Sequence, residues 1–470
     1  MALRINLNST AMNAHRNLAA TDNAMGASIE KLSSGFKINR ASDDPAGLAI
    51  SENLRAQVSG LGQAIANSND AVNMVKTAEG ALGEVHSLLR SMRDLALHAA
   101  NSGANDTTAL NADQSQIESA LTALDRISAN TQFGTKKLLN GTAGVSGQTT
   151  DADVQFLNGT AATAAGTYAV NVTTAAAKAN VTSTGDLSGT VLLANAGNIT
   201  INGETIAVAA GDTDTTLIAK INDVSDKTGV VATSAAGNTF KLEQASYGSA
   251  NTITVSGTAD TLTKVGLTAT TTSNGANVAA TLTKGGVTHT LTGNGAILSG
   301  TANTDTEGIS LEVTGAAGAQ GNVVVTNNSL EFQVGANAGQ TASIAVNSSA
   351  ANQLGTAASG LTNSWSSIAD IDVTAVGGAQ DAIKLIDAAI SQVSTQRADL
   401  GSFQKNQLES NINSLGVAKE NIAASESSIR DTDMAAEMVK FTRNQIMMQA
   451  GTSMLSQANQ APQNILSLLR

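Results

Sequence analysis

Residues 54–89 read LRAQVSGLGQAIANSNDAVNMVKTAEGALGEVHSLL, and Leu54, Val58, Leu61, Ile65, Val72, Val75, Leu82 and Leu89 fall on one four-three register, interrupted at Ser68, Glu79 and His86. That period turns one stripe of a helix the same way turn after turn, so the stretch predicts a long helix packed along its length in a bundle. Upstream, Met25, Ile29, Leu32 and Phe36 repeat the spacing, with Leu18 one heptad before Met25. Between the two seams, Ser42-Asp43-Asp44-Pro45 predicts a helix stop and restart. An acidic or hydroxyl side chain caps the new helix, and the proline sits in its first turn, where the missing N–H costs nothing.

The far end of the chain repeats the style. Leu408, Ile412, Leu415, Ile422 and Ile429 share one register, and Met434, Met438, Phe441, Met448 and Leu455 share another. Pro45 and Pro462 are the only prolines in 470 residues, so little stops helices from running on. Partner helices are ordinarily close in sequence, but these seams lie at opposite ends, which predicts that the ends pair with each other. Between about residues 145 and 327 the composition turns to Gly, Ala, Thr, Ser, Asn and Val. Short alternating runs such as Asn198-Ile199-Thr200-Ile201-Asn202 and Thr252-Ile253-Thr254-Val255 predict strands, with one helix over Thr215–Val224. The fold class expected is α+β: a long coiled-coil-like helical bundle made by both chain ends, with a β-rich central insertion of one or two small lobes.

Composition excludes several kinds of chemistry. With no cysteine there are no disulfides, thiolate metal sites or thiol nucleophiles. A net charge of -12, with no Arg between Arg126 and Arg397, argues against nucleic acid, whose phosphates need clustered cations. His15, His86, His98 and His289 are scattered without ligand spacing and no HExxH occurs, so neither a metal nor a cofactor is expected. Asp43 and Asp44 precede a proline at a helix start, where capping explains them better than acid-base chemistry. Gly285-Gly286 lacks the strand, lysine and helix of a phosphate loop and predicts a turn. No apolar run reaches membrane-spanning length, and the first residues lack the pattern of a cleaved leader, so export by a leaderless route is the expectation. No catalytic residue is assigned, and the chain is expected not to be an enzyme.

Leu32-Ser33-Ser34-Gly35-Phe36-Lys37-Ile38-Asn39-Arg40-Ala41-Ser42-Asp43-Asp44-Pro45-Ala46-Gly47-Leu48-Ala49-Ile50 resembles the N-terminal signature of bacterial flagellins, as does Asn130-Thr131-Gln132-Phe133-Gly134. Gln449-Ala450-Gly451-Thr452-Ser453 and Gln457 through Ser467-Leu468-Leu469-Arg470 are similar to the flagellin C-terminus. Phe332–Gln340 looks like the family's returning β-hairpin, and residues 198–256 are similar to a β-rich module inserted in many flagellins. The resemblance implies a subunit that polymerises into the extracellular filament used for swimming; a hook-filament junction protein or an extracellular adhesin-like filament protein is the alternative. It divides the chain into a terminal inner coiled coil (1–44 with 426–470), a helical bundle with a β-hairpin (45–144 with 328–425) and a surface-exposed variable insertion (145–327).

On this resemblance the assembly interface comprises Leu18, Met25, Ile29, Leu32 and Phe36 with Met434, Met438, Phe441, Met448 and Leu455. Residues 1 to about 44 and about 426–470 are too thin to stand alone and are expected to be largely disordered in the free subunit, folding when neighbouring subunits bury them. Met434, Met438, Met447, Met448 and Met454 either fill a core or let one interface repack into slightly different spacings. The implied partners are further copies of the chain, a flagellar export chaperone at the C-terminus, and the hook-associated junction and cap proteins. Leu89–Ala96 is similar to the helix that Toll-like receptor 5 recognises, which points to Arg90, Met92, Arg93, Leu95 and Gln116; Ser91 and Gln116 depart from the family pattern. Neither nucleic acid nor membrane insertion is implied.

Overall fold

A computed structural model describes residues 8–101, 103, 105–184, 197–235, 239–267, 271–356, 358–363, 365–375 and 377–468. Leu469 and Arg470, the close of the C-terminal signature, lie outside the described residues, as do residues 1–7.

Helices α1 (Ser9–Ser34), α2 (Pro45–Ala99) and α3 (Thr107–Asn130) come first. Strands β1 (Gln132–Phe133) and β2 (Lys136–Lys137) follow, then β3 (Val145–Thr149), β4 (Val154–Asn158), β5 (Gly166–Thr174), β6 (Lys178–Thr182), β7 (Gly197–Ile201) and β8 (Glu204–Val208). Next are α4 (Asp214–Asn222) and α5 (Ser225–Thr228), β9 (Val230–Ala235), β10 (Thr239–Tyr247), β11 (Thr252–Gly257), α6 (Ala259–Val265), β12 (Thr271–Asn274), β13 (Ala279–Lys284), β14 (Val287–Asn294), β15 (Ile297–Ser299), β16 (Ser310–Val313) and β17 (Gly318–Asn327). After β18 (Leu330–Gln333) and β19 (Thr341–Ile344), α7 (Gly378–Ser402) passes through a π-helical segment, Phe403–Glu409, into α8 (Ser410–Arg430), and α9 (Met434–Leu468) follows. The helical ends and β-rich middle match the α+β expectation.

The chain forms two compact units. One comprises Met1–Asn69, Gln333–Gln340 and Glu409–Arg470, the other Asp70–Phe332 and Thr341–Leu408. In the second unit the β-rich insertion carries two separate cores. Strands in the order β3-β17-β5-β13-β14-β15-β16-β4, every neighbour antiparallel, close over Tyr168, Val170, Leu282, Leu298 and Leu311. The Tyr168 hydroxyl lies near the backbone oxygens of Ala164 (2.6 Å) and Asp305 (2.8 Å), so its polar tip is satisfied inside an apolar core. The other core gathers Ile199, Leu217, Ile221, Phe240 and Val255. Thr213 caps α4, accepting from Thr216 N–H, so the helix begins at Asp214, one residue before the expected Thr215, and ends at Asn222, two before the expected Val224.

The long helix is where the residues were read one column off. α2 buries Leu61, Ala64, Ser68, Ala71, Val75, Ala78, Leu82, Val85, Leu89, Met92, Ala96 and Ala99, an unbroken three-four alternation. Leu61, Val72, Val75, Leu82 and Leu89 of the expected register are buried, but the companion column consists mostly of alanines, while Ile65, Glu79 and His86 are only half-buried beside it. Ser68 is no interruption: it is fully buried and donates to Ala64 O at 2.8 Å. Small side chains allow close helix approach, and a reading weighted by side-chain size passes over them.

Candidate assembly surface

In the first unit α1 and α9 run antiparallel. Asn8 caps α1 by accepting from Ala11 N–H and also donates to Ala458 O at 2.8 Å. Toward the other end, Ser28 Oγ donates to Glu437 Oε1 at 2.7 Å. Gly35 ends α1 in a left-handed conformation (φ 76°), which a side chain would strain; its N–H returns to Lys31 O. The chain then ties to the start of α9: Lys37 N–H donates to Arg430 O, and Thr432 N–H to Gly35 O. The Arg430 guanidinium stands 4.8 Å over the Phe36 ring and bonds Glu52 at 2.7 Å, holding that carboxyl below its usual range. Asp44 accepts from Gly47 N–H at 2.9 Å with Pro45 opening α2, the stop and restart expected.

The seam between α1 and α9 is a heptad pair with one apolar and one small or polar column. Leu18, Met25 and Leu32 are half-buried in α1, alternating with Ala14, Thr21 and Ser28. Phe441, Met448 and Leu455 face them from α9, alternating with Glu437, Asn444, Gly451 and Ala458. A Cβ on Gly451 would stand 3.1 Å from Leu18 Cδ1, so a side chain there would make Leu18 give way by a few tenths of an ångström. Ser28 and Lys440 hold the Glu437 carboxyl below its ordinary value, against the burial that pushes it up. No size-weighted reading finds Ser28 or Glu437; the signal available was the seven-residue recurrence of Glu437, Asn444, Gly451 and Ala458.

This seam contains no large fully buried side chain. Among the described side chains, α1 buries Ser28 alone, α8 buries none, and α9 buries Glu437, Asn444 and Ala458. Outside the seam α9 leaves several large apolar side chains uncovered among polar ones: Val439 is 70% exposed, Met454 65% and Ile446 61%, with Met434, Met438 and Met447 about half exposed. Ile29 of α1 and Phe36, just past its end, are exposed too. Of the ten residues read as interface, six therefore line the intramolecular seam, and Ile29, Phe36, Met434 and Met438 point away from it.

The remaining candidate stretch lies in the second unit. Arg90 and Gln116 are exposed and Leu95 half-buried, but Met92 is fully buried in the α2 stripe, and Arg93 is held by Asp387 at 2.6 Å. Among the described residues, no three His, Cys, Asp or Glu gather as a metal site, and no helix is long and apolar enough to cross a membrane.

Residues 5–144 match the bacterial flagellin N-terminal helical region, 383–469 the bacterial flagellin C-terminal helical region, and 195–246 the flagellin hook IN motif. Over 100% of both chains, the protein is 34% identical to B-type flagellin of Pseudomonas aeruginosa, and likewise 32% identical to flagellin of Salmonella typhimurium. FliC from Burkholderia pseudomallei aligns over 71% of this chain and 98% of its own, with 17% identity and a TM-score of 0.27.

Proposed function

The chain belongs to the bacterial flagellin family, structural subunits of the extracellular swimming filament rather than enzymes, and we propose that its polymerising surface is made by the uncovered apolar side chains of α9 with Ile29 of α1 and Phe36 just past its end. One observation carries this reading: α9 keeps Met434, Met438, Val439, Ile446, Met447 and Met454 exposed outside the single stripe that α1 covers. Neighbouring copies are the natural cover, through a head-to-tail contact, because a self-complementary patch would close into a dimer and stop.

The charge distribution supports the same arrangement. Residues 1–44 carry five basic and four acidic side chains and residues 425–470 four of each, so little repulsion opposes close packing of the ends. The insertion, 145–327, carries thirteen acidic side chains against six lysines and suits the hydrated exterior. In this reading 1–44 and 426–470 form the inner layer, 45–144 and 328–425 a second layer, and the insertion the outside. An export chaperone would shield α9 before passage through the type III apparatus, and junction and cap proteins would meet the incomplete helices at the filament's two ends. For Toll-like receptor 5, the buried Met92 and engaged Arg93 leave Arg90, Leu95 and Gln116 as the contacts this subunit offers.

Ile446→Asp tests the surface. In the free subunit Ile446 is 61% exposed, so the change should move stability by no more than about 0.5 kcal/mol. In the filament it would bury an unpaired carboxylate, at a cost of several kcal/mol. Seeded elongation should stop while the soluble subunit keeps its circular dichroism; elongation at the unmodified rate would refute the assignment.

A further inference from the structure

The sequence holds five Asn-Gly pairs, beginning at Asn140, Asn158, Asn202, Asn274 and Asn294. Glycine puts no side chain beside its own backbone nitrogen, so that nitrogen is free to attack the preceding carboxamide wherever the fold brings the two together. At four pairs the hydrogen bonds hold them apart. Asn140 Oδ1 is turned to Thr142, two residues on, accepting from its N–H at 3.2 Å and its hydroxyl at 2.7 Å. Asn202 is fixed on three sides, donating to Thr228 O and Thr252 O and accepting from Thr254 N–H. Gly275 N–H donates to Asn251 O and Gly295 N–H to Asn277 Oδ1, so both nitrogens face away from the asparagine before them.

Asn158, exposed at the end of β4, is arranged differently. The Gly159 nitrogen lies 2.8 Å from Asn158 Oδ1, on the carboxamide it would attack. Asn347 clamps the pair: its Oδ1 accepts from Val145 N–H at 3.3 Å, while its Nδ2 donates to Asn158 Oδ1 and, at 3.4 Å, to Gly159 O. A Cβ on residue 159 would stand 2.5 Å from Val145 Cγ1, so glycine is what fits there. Nucleophile, carbonyl and a donor aimed at the carbonyl oxygen are thus held together before any reaction.

We propose that Asn158-Gly159 is a self-modifying site, which cyclises and then hydrolyses to aspartate and isoaspartate. Hydroxide takes the Gly159 N–H proton, the nitrogen lone pair forms a bond to Asn158 Cγ, and the carbonyl electron pair moves onto Oδ1, where Asn347 Nδ2–H meets the charge. Collapse breaks the Cγ–Nδ2 bond; the leaving nitrogen takes a proton from water, which restores hydroxide, and departs as ammonia. Water then opens the five-membered ring, at Cγ to give aspartate or at the backbone carbonyl carbon to give isoaspartate. Asn158 and Asn347 line a cleft of about 1140 Å³ in which, among the described residues, Asp399 is the one titratable side chain. Each conversion therefore adds a second carboxyl to that cleft, and isoaspartate also lengthens the backbone by a methylene beside buried Gly159. Nothing in this chemistry depends on polymerisation.

The full chain, aged in mildly alkaline buffer and mapped by peptide mass spectrometry, gives the test. Asn158 should convert ahead of the other four pairs, yielding both aspartate and isoaspartate, and its lead should vanish in urea, where all five lose their surroundings. Another pair leading in the folded chain, or the same order in urea, overturns the site. Asn347→Asp keeps the acceptor for Val145 N–H but removes the donor to Asn158. It should slow conversion at Asn158 by roughly tenfold to a hundredfold, the worth of a hydrogen bond to a charged oxygen, while Asn140 in the same chain keeps its rate. An unchanged rate at Asn158, or an equal fall at both positions, removes Asn347 as the positioning residue and overturns the clamp. Should circular dichroism show that this variant does not fold, the comparison of folded and urea-treated unmodified chain decides alone.

Discussion

Ala78 and Glu79 are adjacent on α2, and exchanging each for leucine separates the two possible registers of the long helix. Ala78 is 1% exposed, in the stripe between Val75 and Leu82. Leucine there adds three carbons to a buried position, and overpacking of this kind costs about 1–3 kcal/mol. Glu79 has a side chain 42% exposed and an oxygen 3.6 Å from Arg397 Nη2, so Glu79→Leu forfeits a surface ion pair worth about 0–1 kcal/mol. Urea unfolding followed by helical circular dichroism reads the difference. With a slope of about 1–3 kcal/mol per molar urea, Ala78→Leu should lower the midpoint by roughly 1 M and Glu79→Leu by much less. If Glu79→Leu raised the midpoint clearly and Ala78→Leu left it unchanged, residue 79 would be the core position and the alanine column would be wrong.

Two further outcomes concern the terminal seam. Gly451→Val should force α9 away from Leu18, and a cost of about 1–3 kcal/mol corresponds to roughly a fivefold to hundredfold rise in the concentration needed for seeded growth. An unchanged threshold would mean that filaments do not use this seam. Glu437 has a folded pKa below its ordinary value of 4.5, so its stabilising effect is complete above that value and is lost as pH falls through the lower, folded pKa. Glu437→Gln should therefore flatten the acid limb of filament stability, measured by light scattering during acidification, and an acid limb identical to the unmodified protein's would remove Glu437 from the account.

Much of this architecture was legible in the sequence because periodicity records it. The heptads at both ends, the cap at Asp44-Pro45 and the alternating runs in the insertion each carry a local signal that folding keeps. The companion columns stayed hidden for a physical reason: where helices approach closely the facing residues are small or hydroxylated, as at Ala71, Ala78, Ser28 and Gly451, and such residues look like surface in a single sequence. The Ser28–Glu437 bond joins residues far apart in the chain, and only the pairing of α1 with α9 brings them together. Ile29 and Met438 kept the spacing of a seam but point away from it, since a helix serving both its own partner and its neighbours carries more than one apolar stripe.

Hydrogen exchange of backbone amides, compared between dilute subunit and filament, tests the claim that the terminal helices are completed by neighbours. Residues 9–34 and 434–460 should exchange far faster in the dilute subunit than Leu82–Met92 of α2, which sit in a fully buried stripe, and should become as slow as that stretch in the filament. Equal protection of α1 and α9 in both states would show a seam already complete within one chain, and would contradict the account.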